Sequence, residues 1–237
     1  AAQHPQSVRL HYNLGVNRAA CGMAHEALQA FEQTLRLAPT HLQAHQNLAL
    51  MILGMGQLTT GWAHYAWRFN RHHWEGAPPH WQPQTAVLPM DLNGAPIELM
   101  GEQGLGDELF FLRFLPALKS RGATVTYRVG NDRLLSLLAP WVTGGLLDQL
   151  VAHNAPRQDG ALRLLAGDLP FALGARDYPP ALKLQPTPQA MARLVQKLPS
   201  LERNPQRPRL GLTWRAGTMQ SATGFGTNRW LCKQMPL

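Results

Sequence analysis

The stretch ELMGEQGLGDELFFLRFLPALKSRGATVTYRV, residues 98–129, decides the fold of this chain. It continues a short apolar strand at residues 97–100, passes through a glycine-containing turn, and becomes an amphipathic helix over residues 107–120. Residues 123–129 then alternate in polarity and are rich in β-branched side chains, which predicts a second strand. Strand, helix and strand in about 35 residues predict a βαβ unit within a parallel sheet.

The segments that follow extend this pattern. Short apolar runs at residues 146–151 and 161–165 predict further strands, a helix is predicted over residues 188–198, and a last strand over residues 209–214. Strands that alternate with helices are typical of an open α/β sheet. We therefore predict a Rossmann-like domain over residues 96–205.

A different organisation precedes the sheet, because the first 75 residues repeat with a period of 34. Small residues recur where two helices must approach closely, and aromatic residues recur where the second helix packs on the first. The paired positions are Pro5 and Pro39, Asn13-Leu14 and Asn47-Leu48, Gly22 and Gly56, Ala27 and Gly61, and Phe31 and Tyr65. The pattern resembles the tetratricopeptide repeat, which implies α-helical repeats over residues 1–75.

The two regions are joined by residues 76–95, a connector with four prolines that we expect to be ordered and extended. Pro5 is in phase with Pro39, so the chain is expected to open at the end of an earlier repeat. Two repeats bury little apolar surface alone, because stacked arrays need about three. The repeats are therefore expected to belong to a longer array or to pack on the sheet.

Composition limits the class of protein. The chain has 237 residues, of which 45% are hydrophobic, and it contains two cysteines at opposite ends. No segment resembles a signal peptide or a membrane span, so the expected compartment is the cytoplasm and no membrane partner is expected. The net charge is +8, and the last 32 residues carry five Lys or Arg and no acid. That distribution favours a local anion site, with nucleic-acid binding through a basic tail as a weaker alternative.

The loop GEQGLGDEL, residues 101–109, does not match known phosphate loops. A dinucleotide fingerprint requires a third glycine where Leu109 stands, and no lysine follows to make a nucleoside-triphosphate loop. Glu102, Asp107 and Glu108 also place negative charge at the helix N-terminus that a phosphate would need. The sequence therefore predicts something other than a phosphate cradle.

Asp107 has two interpretations. Ligands of open α/β sheets bind at the carboxyl ends of the strands, where Gly104 and Gly106 let a substrate approach the backbone and Asp107 could accept a hydroxyl proton as general base. Alternatively, Asp107 satisfies backbone amides of the first helical turn, because aspartate is a preferred capping residue. Both interpretations are open on the residues alone.

Three motifs in order carry a family resemblance: Tyr65-Ala66-Trp67-Arg68, then Pro79-His80-Trp81, then the stretch EQGLGD at residues 102–107. They resemble a group of bacterial tetratricopeptide-repeat proteins with a C-terminal glycosyltransferase-like domain. The Gly-Asp before the helix is also similar to heptosyltransferases, whose fold is two facing Rossmann domains. The resemblance implies that residues 96–205 are the acceptor-side, N-terminal half of such a fold. It also implies Asp107 as base, with Gln103, Gly104 and Gly106 at the acceptor.

The same resemblance implies a donor-phosphate site on a second Rossmann domain that begins within residues 206–237. Its ligands would be Thr213, Arg215, Gly217, Thr218 and Arg229. The sequence departs from the family here, because Trp214 is followed by one residue too many before glycine and Arg229 is followed by Trp230. A complete second domain needs on the order of 100 residues. Most of it is missing, so the chain is expected to be truncated or to be completed by a partner chain.

The leading hypothesis is transfer of a sugar from a nucleotide-sugar donor to a hydroxyl acceptor, with the repeats presenting a surface to a protein or peptide. The rival hypothesis is a non-catalytic scaffold or assembly subunit with a degenerate transferase domain. No cofactor is expected. Neither is a metal, because His72, His73 and His80 lack the spacing of a ligand set.

Overall fold

A computed structural model describes residues 6–68 and 86–197 of the chain. The described residues up to 186 belong to one compact unit, and residues 187–197 belong to a second. The second unit contributes one described helix, Pro188–Lys197, in agreement with the helix predicted there. The predicted strand at residues 209–214 lies outside the described residues.

The first part of the large unit consists of two helix pairs: α1 (Val8–Ala20) with α2 (Ala24–Leu37), and α3 (Leu42–Gly54) with α4 (Leu58–Tyr65). Equivalent helices begin 34 residues apart, at the predicted period. A Cβ atom at Gly15 would lie 2.7 Å from the Phe31 ring, and one at Gly61 would lie 2.6 Å from the Leu53 side chain. The helical segments are therefore present, and close contact explains the glycines. Membership of the tetratricopeptide class stays a prediction.

A four-stranded parallel sheet follows, built from β1 (Pro96–Met100), β2 (Thr124–Arg128), β3 (Gln149–Val151) and β4 (Leu162–Leu165). The strand order is β3-β2-β1-β4. Strands β2, β3 and β4 lie within segments for which the sequence predicts strands, and β1 begins one residue before its predicted segment. The predicted βαβ unit is confirmed, because β1 and β2 pair in parallel with Ile97 opposite Val125.

The helix between β1 and β2 differs from the prediction. It begins two residues early, as α5 (Leu105–Phe111), passes through a 3₁₀ turn at Leu112–Phe114 and continues as α6 (Leu115–Ser120). Pro116 lies just inside α6, where its missing N–H is tolerated because first-turn amides lack helical partners. A further helix that the sequence analysis did not predict, α7 (Arg133–Thr143), connects β2 to β3.

The two faces of the sheet differ in polarity. On one face, Ile97, Leu99, Val125, Tyr127 and Leu164 are fully buried and form the main core. Helices α6 and α7 contribute buried leucines to the same core, at positions 115, 118, 134 and 138. On the opposite face, alternate positions of the strands carry charged residues, among them Glu98, Arg128 and Arg163. The core therefore lies between the sheet and the α5–α7 helices.

Part of the predicted connector is described, and it is ordered. Leu88 and Leu92 are buried in the main core, and their backbone amides donate to Ala172 and Arg121. The carbonyl oxygens of Leu88 and Leu173 both accept hydrogen bonds from the Arg121 guanidinium. Residues 86–95 are therefore part of the sheet domain's packing.

Candidate functional site

The topology selects one edge of the sheet as the place for a ligand. Strand β1 is flanked by β2, which follows it along the chain, and by β4, which comes last. In open parallel sheets this reversal of strand order is called the switch point, and it opens a crevice at the carboxyl ends of the strands. The loop Gly101–Gly104 after β1 and the 3₁₀ turn Ala166–Asp168 after β4 lie at this edge.

Arg68, which follows helix α4, occupies the space between these two loops. Its Nε lies 3.0 Å from Glu102 Oε2, its Nη2 contacts Glu102 Oε1, and its Nη1 lies 2.7 Å from Asp168 Oδ1. Only 2% of the Arg68 surface is exposed, so the pairs are shielded from water. Burial alone lowers the pKa of Arg68, but Asp168 and Glu102 outweigh it and raise that pKa overall.

Backbone amides complete this group. The N–H of Gly167 donates to Glu102 at 3.0 Å, and the N–H of Leu165 donates to Asp168 at 3.4 Å. A Cβ atom at Gly167 would lie 2.5 Å from the Glu102 carboxylate, so a glycine is needed for the close approach. Arg68, Glu102 and Asp168 together form what we name the docking network.

Aromatic packing supports the docking network. Trp62 of α4 is buried against Phe111 and Ala166, with Leu58 and Tyr65 on the same helix. The Trp62 and Phe111 rings meet edge to face, with centroids 6.2 Å apart. Apolar contact and charge pairing thus both fix the second helix pair to the sheet, as expected for repeats too few to be stable alone.

The three acids of the loop have three different environments. Glu102 belongs to the docking network. Glu108 is buried and accepts hydrogen bonds from the Tyr127 hydroxyl at 2.6 Å and the Gly130 N–H at 2.9 Å. Burial raises the pKa of Glu108, and the two hydrogen bonds partly offset this. Asp107 is exposed to solvent. Among these acids it alone is placed to meet a dissolved substrate.

Asp107 also caps its helix. Its Oδ2 accepts a hydrogen bond from the Gly104 N–H at 3.2 Å, and Gly104 is the residue at which helix α5 is capped. Asp107 therefore takes part in capping, but not as the sequence suggested: it is the third residue of α5, and it accepts the N–H of the capping residue Gly104 rather than amides of the first turn. The hydrogen bond uses one carboxylate oxygen and the side chain stays exposed, so a general-base role stays a prediction.

The loop glycines meet different requirements. A Cβ at Gly101 would overlap the Glu108 carboxylate and the backbone of Gly130, and one at Gly104 would lie 3.3 Å from Asp107 Oδ2. At Gly106 nothing lies within 4 Å of such an atom. Packing explains Gly101, whereas a Cβ at Gly104 would require only a slight shift of the Asp107 carboxylate. Packing does not explain Gly106, which is consistent with an open approach to the backbone from solvent.

Gln103 has an unusual backbone for its residue type. Its φ angle is 62°, in the left-handed region that costs an ordinary L-residue about 1–2 kcal/mol. Its side-chain Nε2 donates to the Tyr65 hydroxyl at 2.7 Å. The predicted acceptor residues are all exposed: Gln103 and Gly104 end the loop after β1, and Gly106 and Asp107 lie in the first turn of α5.

The predicted donor ligands fall elsewhere. All of them lie outside the described residues: Thr213, Arg215, Gly217, Thr218 and Arg229. The histidines at 72, 73 and 80 also lie outside the described residues. Within residues 6–68 and 86–197, no group of three or more His, Cys, Asp or Glu side chains could hold a metal ion. In the same ranges, no helix is long and apolar enough to cross a membrane.

The sequence analysis missed the roles of Tyr65, Arg68 and Asp168. A signal for two of them was available, because Tyr65 and Arg68 belong to one motif and Glu102 and Gln103 to the next. Because the two motifs carry opposite charges, an ion pair between Arg68 and Glu102 could have been predicted from the sequence. Nothing local marked Asp168, which lies 100 residues from Arg68 along the chain.

Comparisons with known proteins find similarity of low sequence identity. No family model matches the chain. Protein FlbA of Caulobacter vibrioides is 25% identical over 276 aligned positions, which cover 90% of this chain and 44% of FlbA. A mutant O-GlcNAc transferase of Thermobaculum terrenum, a solved structure, shares 18% identity with a TM-score of 0.25, covering 73% of this chain and 42% of that chain. The chain therefore spans less than half the length of either protein, and a TM-score this low does not establish a common fold.

Proposed function

We propose that this chain is the repeat region and acceptor-side half of a glycosyltransferase-like protein, which transfers a sugar from a nucleotide-sugar donor to a hydroxyl acceptor. One observation carries the proposal: Asp107 is exposed at the switch-point edge of the sheet while its neighbours Glu102 and Glu108 are buried in internal pairs. Asp107 accepts the proton of the acceptor hydroxyl as general base, and the oxygen displaces the nucleotide from the sugar.

The acceptor site would be the exposed loop that holds Gln103, Gly104 and Gly106. The open side of Gly106 supports this, since a substrate can reach the backbone there. The donor diphosphate would bind to the basic residues predicted beyond residue 206. The repeats would present a protein or peptide acceptor to the loop, because their last helix packs directly beside it.

A second candidate function is a non-catalytic scaffold or assembly subunit. Two contacts favour it: Asp107 already caps the Gly104 amide, and Arg68 fills the space at the switch point where a ligand would otherwise enter. In this case the same geometry serves only to fix the repeats to the sheet, and a partner would bind the repeats.

The change Asp107→Asn separates the two functions, because an amide oxygen can still accept the Gly104 N–H but cannot accept a proton as base. The intact protein that carries this chain is assayed for release of nucleoside diphosphate from a panel of nucleotide sugars. As catalyst, Asp107→Asn lowers kcat by about 10²–10⁴-fold, while calorimetry finds unchanged affinity for the nucleoside diphosphate.

Asp159→Asn serves as the control, because Asp159 is also exposed but lies on the loop before β4. Equal turnover in Asp107→Asn and wild type would reject the base role. An absence of turnover and of nucleotide binding in the wild type would reject the transferase and favour the scaffold.

A further inference from the structure

Tyr65, the last residue of helix α4, lies at one end of a short series of contacts that leads to Asp107. The series passes from the Tyr65 hydroxyl to the Gln103 side chain, along the backbone to the Gly104 N–H, and then to the Asp107 carboxylate. We infer that Tyr65 is a positioning residue, which acts through Gln103 to fix how Asp107 is presented to a hydroxyl-bearing acceptor. Its functional meaning rests on the proposed transfer reaction.

The backbone of Gln103 is the first step. Among the described residues other than glycine, positive φ occurs at Asn93 (47°) and at Gln103 (62°). Asparagine tolerates this region through local hydrogen bonds, and Asn93 lies in a turn where its N–H donates to Asp91 at 3.0 Å. Glutamine has no comparable preference. Its conformation therefore needs support from a distant residue, and the 2.7 Å hydrogen bond to Tyr65 supplies it.

The second step links Gln103 to the carboxylate. The peptide between residues 103 and 104 carries the Gly104 N–H, so the left-handed turn at Gln103 sets the direction in which that N–H points. The N–H donates to Asp107 Oδ2 at 3.2 Å. If Gln103 relaxes to an ordinary conformation, this donor turns away and Asp107 loses the contact that orients it.

Tyr65 is well suited to hold this position. Its ring lies 5.7 Å from the rings of Trp62 and Phe111, and the Arg68 guanidinium lies 5.0 Å from its centroid. Burial is the main reason that the pKa of Tyr65 is raised to about 12, and the charge of Asp107 is one of the smaller contributions in the same direction. The phenol therefore keeps its proton at neutral pH, where it accepts from Gln103 and retains its own O–H.

The motif at residues 65–68 and the motif at residues 102–107 are therefore joined by two contacts with different roles. Arg68 pairs with Glu102 and fixes the repeats to the sheet, while Tyr65 pairs with Gln103 and fixes the conformation of the loop. The two contacts are neighbours, because Tyr65 and Arg68 are three residues apart and their partners Gln103 and Glu102 are adjacent in the chain. Helix α4 thus contributes a side chain to the loop that carries the candidate base.

Amide hydrogen exchange of the 237-residue chain tests the inference without any activity assay. Tyr65→Phe removes only the hydroxyl and keeps the ring packing. We expect exchange at the Gly104 amide to quicken by roughly fivefold, as for loss of one hydrogen bond. Tyr12→Phe is the matched control, because Tyr12 is another repeat tyrosine whose hydroxyl accepts a hydrogen bond, from Asn47. It should leave Gly104 unchanged.

A second variant distinguishes positioning from general loosening. In a Gln103→Gly background the left-handed turn carries no strain and no side chain reaches Tyr65, so Tyr65→Phe should have no further effect on Gly104 exchange. The inference is overturned if Tyr65→Phe leaves Gly104 exchange unchanged, if it quickens strand amides such as Val125 equally, or if its effect is the same in both backgrounds.

Turnover is measured separately, on the intact protein that carries this chain. A positioning role predicts that Tyr65→Phe lowers kcat by about tenfold, with the affinity for nucleoside diphosphate unchanged. Faster Gly104 exchange with wild-type turnover would remove the functional role and keep the structural one. Faster exchange in a protein without transferase activity would reject the proposed function while leaving the contact between the repeats and the loop established.

Discussion

The chain buries two groups of charged side chains with opposite arrangements. On the polar face of the sheet, Glu98 of β1 accepts hydrogen bonds from Arg128 of β2 and Arg163 of β4, so one carboxylate pairs with two guanidinium groups. In the docking network, Arg68 serves two acids, Glu102 and Asp168. All six residues are less than a tenth exposed. The first group joins three adjacent strands, whereas the second joins the helical repeats to the ends of two strands.

The difference lies in what remains when the central residue is lost. Without Glu98, Arg128 still donates to the carbonyl oxygens of Ala155 at 2.7 Å and Pro156 at 2.9 Å. Without Arg68, Glu102 and Asp168 keep backbone N–H partners, but two negative charges are left close together in a buried place. Either loss leaves two like charges in a buried place, but the carbonyl groups that accept from Arg128 outnumber the backbone N–H groups that donate to Glu102 and Asp168. The docking network should therefore be the more sensitive of the two.

Arg68→Met should have the largest effect, because it removes the buried guanidinium that Glu102 and Asp168 share. We expect the free energy of unfolding to fall by about 3–5 kcal/mol, the range found when one partner of a buried ion pair is removed. Urea denaturation at pH 7, followed by circular dichroism, measures it. Arg36→Met is the control, since Arg36 is an exposed arginine of α2 that bonds to Gln33. A loss no greater than that of the control would contradict the comparison.

Glu98→Gln should have a smaller effect, about 2–3 kcal/mol, because the arginines keep their carbonyl partners and the amide oxygen still accepts one hydrogen bond. The same denaturation experiment measures the change. Hydrogen exchange should locate the loss in β2 and β4, with the contact between α4 and the sheet retained. A loss larger than that of Arg68→Met would reverse the ranking of the two networks.

Acid should have the smallest effect, and it should act on the repeats first. His45 Nδ1 lies 2.8 Å from His64 Nδ1, and His45 stacks on Trp67, the residue before Arg68. Burial is the main cause that lowers the pKa of both histidines below 6.5. The unfolded chain then binds more protons in this window, so stability falls as the pH drops from 6.5 through the lowered values.

Denaturation midpoints between pH 7 and pH 5 measure this dependence. We call the fall of the midpoint between pH 7 and pH 5 the acid limb. His64→Gln should make this acid limb less steep, because it removes one of the two histidines that are neutral in the folded protein. His25→Gln, at an exposed histidine of α2, should leave it unchanged. An acid limb as steep in His64→Gln as in the wild type would show that the histidine pair does not couple the repeats to pH.

The sequence predicted those parts of the fold that local patterns record. The 34-residue period gave the interval between the helix pairs, and the polarity of residues 97–129 gave the βαβ unit. Helix α7 was not predicted, although residues 133–143 have an apolar stripe; Pro140 lies inside the helix, where proline ordinarily argues against one.

The candidate site was predictable only in part. The place of Asp107 followed from its position after β1, but residue type suggested it as the N-cap, and the helix instead begins two residues earlier with Gly104 as the cap. The burial of Glu108 could not be read from sequence, because an acid in the first turn of a helix is ordinarily a solvated one that interacts with the helix dipole. Its partner Tyr127 lies on the next strand, and only the packing of α5 on the sheet brings them together.

The contacts at the end of helix α4 also restrict how this protein can be rebuilt. A chimaera with a foreign repeat array would need a last helix that ends in a hydroxyl at the position of Tyr65, followed by an arginine at the position of Arg68. An array chosen only for shape would remove the Arg68 guanidinium from Glu102 and Asp168. The exchangeable part of the repeat array therefore ends before α4, and that helix stays with the sheet.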